Sequence, residues 1–254
     1  MNQSIYITDL SLCKPTSALA DQWEDKCWRV VPYETVDGIS GQMIMATSEI
    51  DAPSVSIELN VQGWYRIILG LGCPSLNDGA SASIRVKLDD DPCYSTLQTC
   101  GRYWWMEFQE ITWREADLTG RSISFYKPNG IHNGGSLQVQ SYVAYIRLEP
   151  LSDEEIKLIT SQPDKKLIAT EDGWSFIAVD YPTSVEELYE SIFSYKDTDF
   201  KTIFYNAAAG DYVNYPHTKV GTSYGLREKP VYPRPLDKAY DKCMDILRKK
   251  NIDP

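Results

Sequence analysis

The stretch that decides our interpretation of the fold is residues 174–216, WSFIAVDYPTSVEELYESIFSYKDTDFKTIFYNAAAGDYVNYP. Residues 176–179 form a short apolar run that is typical of a buried strand. A capping box at Thr183 and Glu186 then begins a helix, whose apolar residues follow at helical spacing. Residues 202–206 read as a second strand with a long loop after it. The order strand, helix, strand predicts a β/α region.

Upstream of this stretch, the chain follows a period of two as far as residue 150. Val55, Ile57 and Leu59 alternate with polar residues, and such alternation marks strands with one buried face. Segments with this pattern, separated by turn signals, are residues 28–33, 42–46, 55–61, 64–71, 83–88, 106–113, 122–127 and 137–148. They predict a β-sandwich of the jelly-roll type. In the last segment the apolar phase shifts, which predicts a bulge or a bend between sheets near Tyr142.

A change of pattern near residue 150 predicts a domain boundary. Ser152 and Glu155 form a capping box, so a short helix should begin there and end near Pro163. We therefore divide the chain into a β-sandwich at residues 1–150, a helical linker at 151–173 and a partial β/α region at 174–254.

Composition limits the classes of partner. The chain of 254 residues has a formal net charge of −11, and this charge repels phosphate backbones and acidic lipids. We therefore expect no nucleic-acid partner and no membrane partner. The N-terminal residues lack a basic segment followed by an apolar one, so we expect a cytoplasmic protein.

No cofactor or metal motif is recognisable. The chain lacks a nucleophile elbow, a Walker loop and a dinucleotide fingerprint. The six cysteines are scattered and read as free thiols, although Cys93 and Cys100 are close enough in sequence for a disulfide. The triplet at residues 89–91 (DDD) has the carboxylate density of a calcium loop, but a hairpin turn is the commoner outcome. We expect neither a cofactor nor a metal ion.

Several short segments give the chain a family resemblance. They are residues 63–67 (GWYRI), 145–148 (YIRL), 180–182 (DYP), 209–211 (AGD) and 214–216 (NYP). With these segments, the chain resembles a group of largely uncharacterised bacterial glycosidase-like proteins. In that group a carbohydrate-binding-like β-sandwich precedes a (β/α)8 barrel, a TIM barrel.

The resemblance implies a barrel that this sequence does not complete. A full barrel takes about 250 residues and eight strands, whereas residues 174–254 resemble only its first two β/α units. The catalytic carboxylates of such barrels usually follow later strands. We therefore expect another chain or segment, through a protein partner or self-association, to supply the rest.

The loop after the second β/α strand is the first candidate site, because barrel sites are built at the C-terminal ends of strands. Tyr rings stack on sugars while Asn and His bond hydroxyls. The candidate substrate-binding residues are Tyr181, Asn206, Tyr212, Asn214, Tyr215 and His217. Asp180 and Asp211 are weak candidates for the paired carboxylates of glycoside hydrolysis. Alternatively, Asp180 caps the following helix and the tyrosines pack the loop.

An aromatic cluster in the sandwich is the second candidate site. Trp104 and Trp105, with Tyr103 before them and Trp113 after them, could form a platform on which sugar rings stack. Buried core aromatics are the commoner outcome for such a cluster, and an interdomain contact is a further alternative.

Three functions follow from these observations. The chain is the N-terminal part or a subunit of a glycoside-hydrolase-like enzyme, a non-catalytic carbohydrate-binding module, or a structural subunit that docks a partner chain. Whether it is an enzyme stays open at this point.

Overall fold

The first part of the chain is almost entirely β-strand. The computed structural model describes residues 3–73, 81–99, 107–128, 139–161, 165–171, 189–190, 192–196, 198–206, 208–209, 212–213 and 222–223. The strands are β1 (Ile5–Ile7), β2 (Leu19–Ala20), β3 (Trp28–Glu34), β4 (Ser40–Ala46), β5 (Val55–Glu58), β6 (Trp64–Cys73), β7 (Ser81–Leu88), β8 (Ser95–Thr99), β9 (Glu107–Asp117), β10 (Ser122–Tyr126) and β11 (Val139–Pro150). Short 3-10 helices at Leu10–Leu12 and Thr16–Ala18 connect β1 to β2.

The chain divides into two compact units. The first comprises Met1–Asp91, Ser95–Gly130 and Ser136–Pro163. The second comprises Pro92–Tyr94, Ile131–Gly135 and Asp164–Pro254.

The strands of the first unit form two sheets. In sheet A the order is β2-β3-β4-β11-β6-β9, and β1 also pairs with β11. In sheet B the order is β5-β10-β7-β8. The first residues of β11, Val139 and Gln140, run parallel to β7, whereas the rest of β11 is antiparallel to β4 and β6. The register shifts between Val143 and Tyr145, so the bend predicted near Tyr142 is confirmed.

A single hydrophobic core lies between the two sheets. Sheet A contributes alternate residues of β6, at Ile67, Leu69 and Leu71, and sheet B contributes alternate residues of β7 and β10. Trp28 is fully buried in this core, and its indole N–H donates to the carbonyl oxygen of Pro53 at 2.7 Å. Burying a side chain of this size stabilises the fold by about 1.5–3 kcal/mol. The predicted β-sandwich is therefore present, while its assignment as a jelly roll stays a prediction.

The sequence pattern located most of these strands but not all of them. Each predicted segment overlaps an observed strand, with ends that differ by up to four residues. β1, β2 and β8 were not predicted. β1 and β2 have only three and two residues, too few for an alternation to be visible, and they are strands because of the neighbours with which they pair.

The helix α1 (Asp153–Thr160) begins where the capping box predicted it. The Ser152 hydroxyl accepts from the backbone N–H of Glu155 at 3.3 Å, and the Glu155 carboxylate accepts from the backbone N–H of Ser152 at 2.8 Å. Two unpaired N–H groups at the helix N-terminus are satisfied in this way.

The second unit contains β-structure that the sequence interpretation placed differently. A strand β12 (Leu167–Glu171) lies within the range predicted as a helical linker, and it pairs in parallel with β13 (Phe200–Tyr205), the predicted second β/α strand. Its five residues carry too weak a pattern to predict, and the pairing with β13 makes them a strand. Residues 189–190 and 192–193 are helical, in agreement with the predicted helix between 183 and 194. The first predicted strand, residues 176–179, lies outside the described residues.

The segment predicted as a long loop carries short strands. They are β14 (Ala208–Ala209), β15 (Tyr212–Val213) and β16 (Thr222–Ser223); β15 pairs antiparallel with β14 and parallel with β16. In the part of the chain that the structure describes, no helix is long and apolar enough to cross a membrane.

Candidate functional site

The structure describes few of the site residues predicted from the sequence. Asn206 is described in full, and Tyr212 through its backbone alone. The others lie outside the described residues: Asp180, Tyr181, Asp211, Asn214, Tyr215, His217, Trp104 and Trp105. Their predicted roles stay predictions.

Asn206 lies at the C-terminal end of the parallel pair β12–β13. Its side chain is exposed, and its backbone N–H donates to the carbonyl oxygen of Glu171 at 2.8 Å. Asn206 is therefore at the carboxyl edge of a parallel pair, where polar side chains commonly meet ligands.

Two other sequence candidates have structural roles. Trp113 packs against the core of the sandwich, which is the commoner alternative given above. The Asp89 and Asp90 carboxylates pair with Arg121, and the buried Asp91 accepts from Arg114 Nη2 at 2.9 Å. A turn therefore joins the antiparallel strands β7 and β8, but Asp91 is buried, so the expectation of a fully solvated turn is wrong at this residue. Among the described residues, no group of three or more acidic, His or Cys side chains is arranged to hold a metal ion.

The side of sheet A turned away from the core, here called the outer face, carries a second apolar cluster. Tyr33, Met43, Ala144 and Tyr145 form its buried part, and Phe108 packs against them. Met43 alternates on β4 with the core residue Ile44, whereas Ala144 and Tyr145 are adjacent at the register shift of β11. Since a half-solvated sheet usually presents polar residues on its second face, a cluster of rings here requires an explanation.

The outer face is concave. Along sheet A, β3 and β9 are four strand spacings apart, roughly 19 Å in a flat sheet. The ring centroids of Tyr33 on β3 and Phe108 on β9 are nevertheless only 5.5 Å apart. The sheet must therefore curl so that these two strands approach each other across the outer face.

Glycine makes room for the rings on the floor of this face. Gly70 of β6 is paired with Tyr145 of β11, and a Cβ added to Gly70 would lie 2.3 Å from the Tyr145 ring. A Cβ added to Gly72 would lie 2.6 Å from Tyr142 Cβ. The aromatic rings thus lie close against the backbone of β6, as glycine inside a strand permits.

Tyr145 joins the rings to a charged pair. Its hydroxyl donates to Glu110 Oε1 at 3.1 Å, and Glu110 also accepts from Arg147 Nε at 2.9 Å and from Arg147 Nη2 at 2.5 Å. Burial, with the nearby Glu110 charge, raises the pKa of Tyr145. The hydrogen bond to Glu110 raises the pKa of Arg147. At neutral pH the Tyr145 hydroxyl is therefore a donor and the Arg147 guanidinium is charged.

Tyr33 offers a polar group that the described residues leave unused. Its side chain is 8% exposed, its ring is stacked 6.3 Å from that of Tyr145, and its hydroxyl has no hydrogen-bond partner among the described residues. Burial raises the pKa of this hydroxyl to about 12. Buried polar groups are nearly always bonded, so this enclosed hydroxyl is an exception among the buried groups of the outer face.

A row of ion pairs, here called the charge ladder, continues along the outer face. Arg66 Nη2 lies 2.6 Å from Glu115 Oε1 and 3.2 Å from Glu155 Oε1, and Arg66 Nη1 lies 3.6 Å from Glu149 Oε2. Arg147 Nη1 also pairs with Glu149. The members of the ladder are Arg66, Arg147, Glu110, Glu115, Glu149 and Glu155.

The sequence interpretation missed this face. Tyr6, Tyr33, Phe108, Glu110, Tyr145 and Arg147 come from β1, β3, β9 and β11, and only the order of the strands brings them together. One signal was present, because glycines at two alternate positions of one strand mark a close approach of other groups. The arrangement can stack a ring, accept hydrogen bonds through carboxylates and donate them through guanidinium and hydroxyl groups.

Comparison with known proteins gives neither a family nor a curated relative. No protein-family model and no curated protein matches the chain.

Solved structures give matches at low similarity. One is the CBM36-1 domain of a multidomain xylanase from the hindgut metagenome of Trinervitermes trinervoides, with a TM-score of 0.33 and 12% identity over 59% of this chain and 99% of that domain. Another is a family 35 carbohydrate binding module from Clostridium thermocellum, with a TM-score of 0.27 and 14% identity over 47% of this chain and 86% of the module. CsCBM6-3 from Clostridium stercorarium, in complex with cellobiose, has a TM-score of 0.30 and 10% identity over 48% of this chain and 82% of that protein. TM-scores this low do not establish a shared fold, so the fold and the site rest on the strands and side chains of this chain.

Proposed function

We propose that the chain binds a carbohydrate on the outer face of sheet A. The observation that carries the proposal is the exposed ring of Tyr6 beside the Glu110–Arg147 pair, at the rim of a buried aromatic floor. Tyr6 is 45% exposed, and its ring centroid lies 5.9 Å from that of Tyr145. Pairing of β1 with β11 places Tyr6 opposite Arg147.

The chemistry of this rim suits a sugar. The apolar face of a sugar ring stacks on an exposed aromatic ring, and its hydroxyls both donate and accept hydrogen bonds. Glu110 and Glu149 have side chains that are 36% and 30% exposed, so their oxygens can accept from hydroxyls. Arg147 donates, and the Tyr33 hydroxyl is a further polar group deeper in the face.

Affinity electrophoresis through gels that contain xylan, galactan or β-glucan tests the proposal. Tyr6→Ala removes the exposed ring, so retention should weaken by roughly three- to tenfold, the worth of one aromatic contact. The matched control is Leu158→Ala, which removes an exposed apolar side chain of α1 and should leave retention unchanged. Equal denaturant midpoints for the two variants would exclude unfolding as the cause.

Two results would reject this function. One is that the wild-type chain is retained by none of a broad panel of polysaccharides. The other is that Tyr6→Ala and Leu158→Ala migrate like the wild type in a gel that retains it, since the glycan would then bind elsewhere.

We further propose that residues 174–254 belong to a barrel-like β/α region that another chain or segment completes, within a glycoside-hydrolase-like enzyme. The parallel pairing of β13 with β12, which lies just before this range, supports this idea, as do the helical residues between the two strands in sequence. In this proposal Asp180 and Asp211 are the weak candidates for catalysis. Loss of polysaccharide hydrolysis in Asp180→Asn or Asp211→Asn, with retention on the gel unchanged, would support it.

A docking role is a second candidate function, favoured by exposed apolar side chains in the second unit. Leu167, Ile168 and Phe204 on β12 and β13 are all exposed. Exposed apolar side chains on a strand form a surface on which a partner chain can pack. Size-exclusion chromatography with light scattering distinguishes the cases, because a stable monomer with no co-purifying chain would contradict the docking role.

A further inference from the structure

The two arginines of the charge ladder, Arg66 and Arg147, are already engaged by carboxylates. Arg66 is within 4 Å of three glutamates, and Arg147 pairs with Glu110 through two nitrogens and with Glu149 through a third. Charge-assisted bonds of this forked kind are the strong ones. An anionic ligand would have to displace a glutamate in order to reach either guanidinium.

The charge ladder is also negative as a whole. Its two arginines face four glutamates, and the formal net charge of the chain is −11. The hydrogen bonds of the helix N-cap, with that of Arg66, lower the pKa of Glu155, which keeps this member of the ladder ionised at neutral pH. The field at the rim of the outer face therefore repels anions.

We infer that the glycan bound at the outer face is neutral, so that its sugar units carry hydroxyls but no carboxylate or sulfate groups. This inference rests on the proposed carbohydrate-binding function. Hydroxyls bond the exposed oxygens of Glu110 and Glu149 without displacing either arginine. The geometric sign of a ligand here is the exposed Tyr6 ring beside these carboxylates, with its centroid 5.9 Å from that of Tyr145.

Arg29 is the cation that could contradict this inference. It lies on the same face, opposite Met45 in register, with its guanidinium 4.9 Å from the Trp23 ring. Its Nε is buried and has no hydrogen-bond partner among the described residues. If the face bound an anionic sugar, Arg29 would be the group to hold it.

The test uses polysaccharides that share a backbone and differ in charge. Hydroxyethylcellulose is compared with carboxymethylcellulose, and methyl-esterified homogalacturonan with its de-esterified form. In at least one pair the neutral member should retain the wild-type chain at least tenfold more strongly at low salt. Because ionic strength screens charges, the difference should shrink in 0.5 M NaCl. The double variant Glu110→Gln with Glu149→Gln frees Arg147, and it should gain retention on the anionic member.

Each outcome has a distinct meaning. Equal or stronger retention on the anionic member overturns the inference and leaves carbohydrate binding in place, and loss of that retention in Arg29→Gln would identify the cation responsible. Retention on no polysaccharide of either kind overturns the inference together with the function on which it rests. Retention on the neutral members with the expected salt dependence supports both.

Discussion

Replacing a tyrosine by phenylalanine at two positions of the outer face separates a satisfied hydroxyl from an unsatisfied one. Tyr33 and Tyr145 are both buried, and their rings are stacked 6.3 Å apart. The Tyr145 hydroxyl donates to Glu110 at 3.1 Å, whereas that of Tyr33 has no partner among the described residues. Tyr33→Phe and Tyr145→Phe each remove one oxygen and keep the ring, so the two variants differ only in what that oxygen does.

From the structure, we expect the two substitutions to change the free energy of unfolding differently. A hydrogen bond to a charged group contributes about 1.5–3 kcal/mol, but Glu110 keeps both of its bonds to Arg147 and is partly solvated. We therefore expect Tyr145→Phe to lower the free energy of unfolding by about 1 kcal/mol. Tyr33→Phe loses no bond and removes a buried unsatisfied hydroxyl, so it should leave that free energy unchanged or raise it by up to about 1 kcal/mol.

Urea unfolding of the full chain, followed by tryptophan fluorescence, measures both effects. In a parallel thermal melt of a protein of this size, 1 kcal/mol corresponds to a shift in Tm of about 2–4 °C. The m-values should stay equal, because neither variant changes the surface exposed on unfolding. A ligand that bonds the Tyr33 hydroxyl adds a second readout, since Tyr33→Phe should then bind roughly three- to tenfold more weakly.

Tyr33→Phe is thus expected to be at least as stable as the wild type. If it is destabilised as much as Tyr145→Phe, the Tyr33 hydroxyl has a hydrogen-bond partner in the free protein and is not an unsatisfied group. If its stability rises but its affinity for the retained polysaccharide is unchanged, the ligand does not reach Tyr33.

Three further measurements address packing, thiol burial and pH. Gly70→Ala places a Cβ 2.3 Å from the Tyr145 ring, so it should lower the free energy of unfolding by about 1–3 kcal/mol; unchanged stability would mean that the ring does not lie against β6. Burial, with a nearby carboxylate, raises the pKa of the Cys13 thiol to about 12, so iodoacetamide at pH 8 should modify the half-buried Cys27 before Cys13, as peptide mass spectrometry can show. Because the folded-state pKa of Glu155 is lowered, its stabilising contribution is present above the ordinary pKa of a glutamate and is lost as pH falls through the lowered value. Glu155→Gln should therefore reduce the loss of stability between pH 7 and 3 in urea titrations.

The sandwich was predictable because its strands bury one face each. Alternation such as that of Ile84, Val86 and Leu88 is a local property, and the observed core contains all three. The capping box at Ser152 and Glu155 is equally local, since its bonds join residues three apart. Where a few neighbouring residues decide the structure, the pattern was sufficient.

The remaining elements depend on partners that are distant in sequence. β12 is a strand because it pairs with β13, and the paired residues, such as Leu167 with Phe200 and Glu171 with Tyr205, are 33 or 34 positions apart in the chain. Tyr6 reaches Arg147 only because β1 joins β11. The candidate face could not be predicted from alternation, because alternation gives the side of a strand on which Tyr33 and Phe108 lie but not which strands approach each other. Because the sequence does not show which strands approach each other, the predicted site was placed at residues 206–217, where tyrosines and asparagines are close in sequence.

Glycine connects the fold to the proposed function. Gly70 and Gly72 lie on the outer face of β6, at positions where alternation would otherwise place side chains. Glycine inside a strand destabilises it relative to alanine, so on grounds of strand stability alone both positions favour a larger residue. What they permit is the close approach of Tyr145 and Tyr142, and thereby a floor of rings in a sheet that curls around it. A face that served only to be solvated would need neither the glycines nor the curl; here they hold the buried rings beside which Tyr6 presents its exposed ring to a sugar.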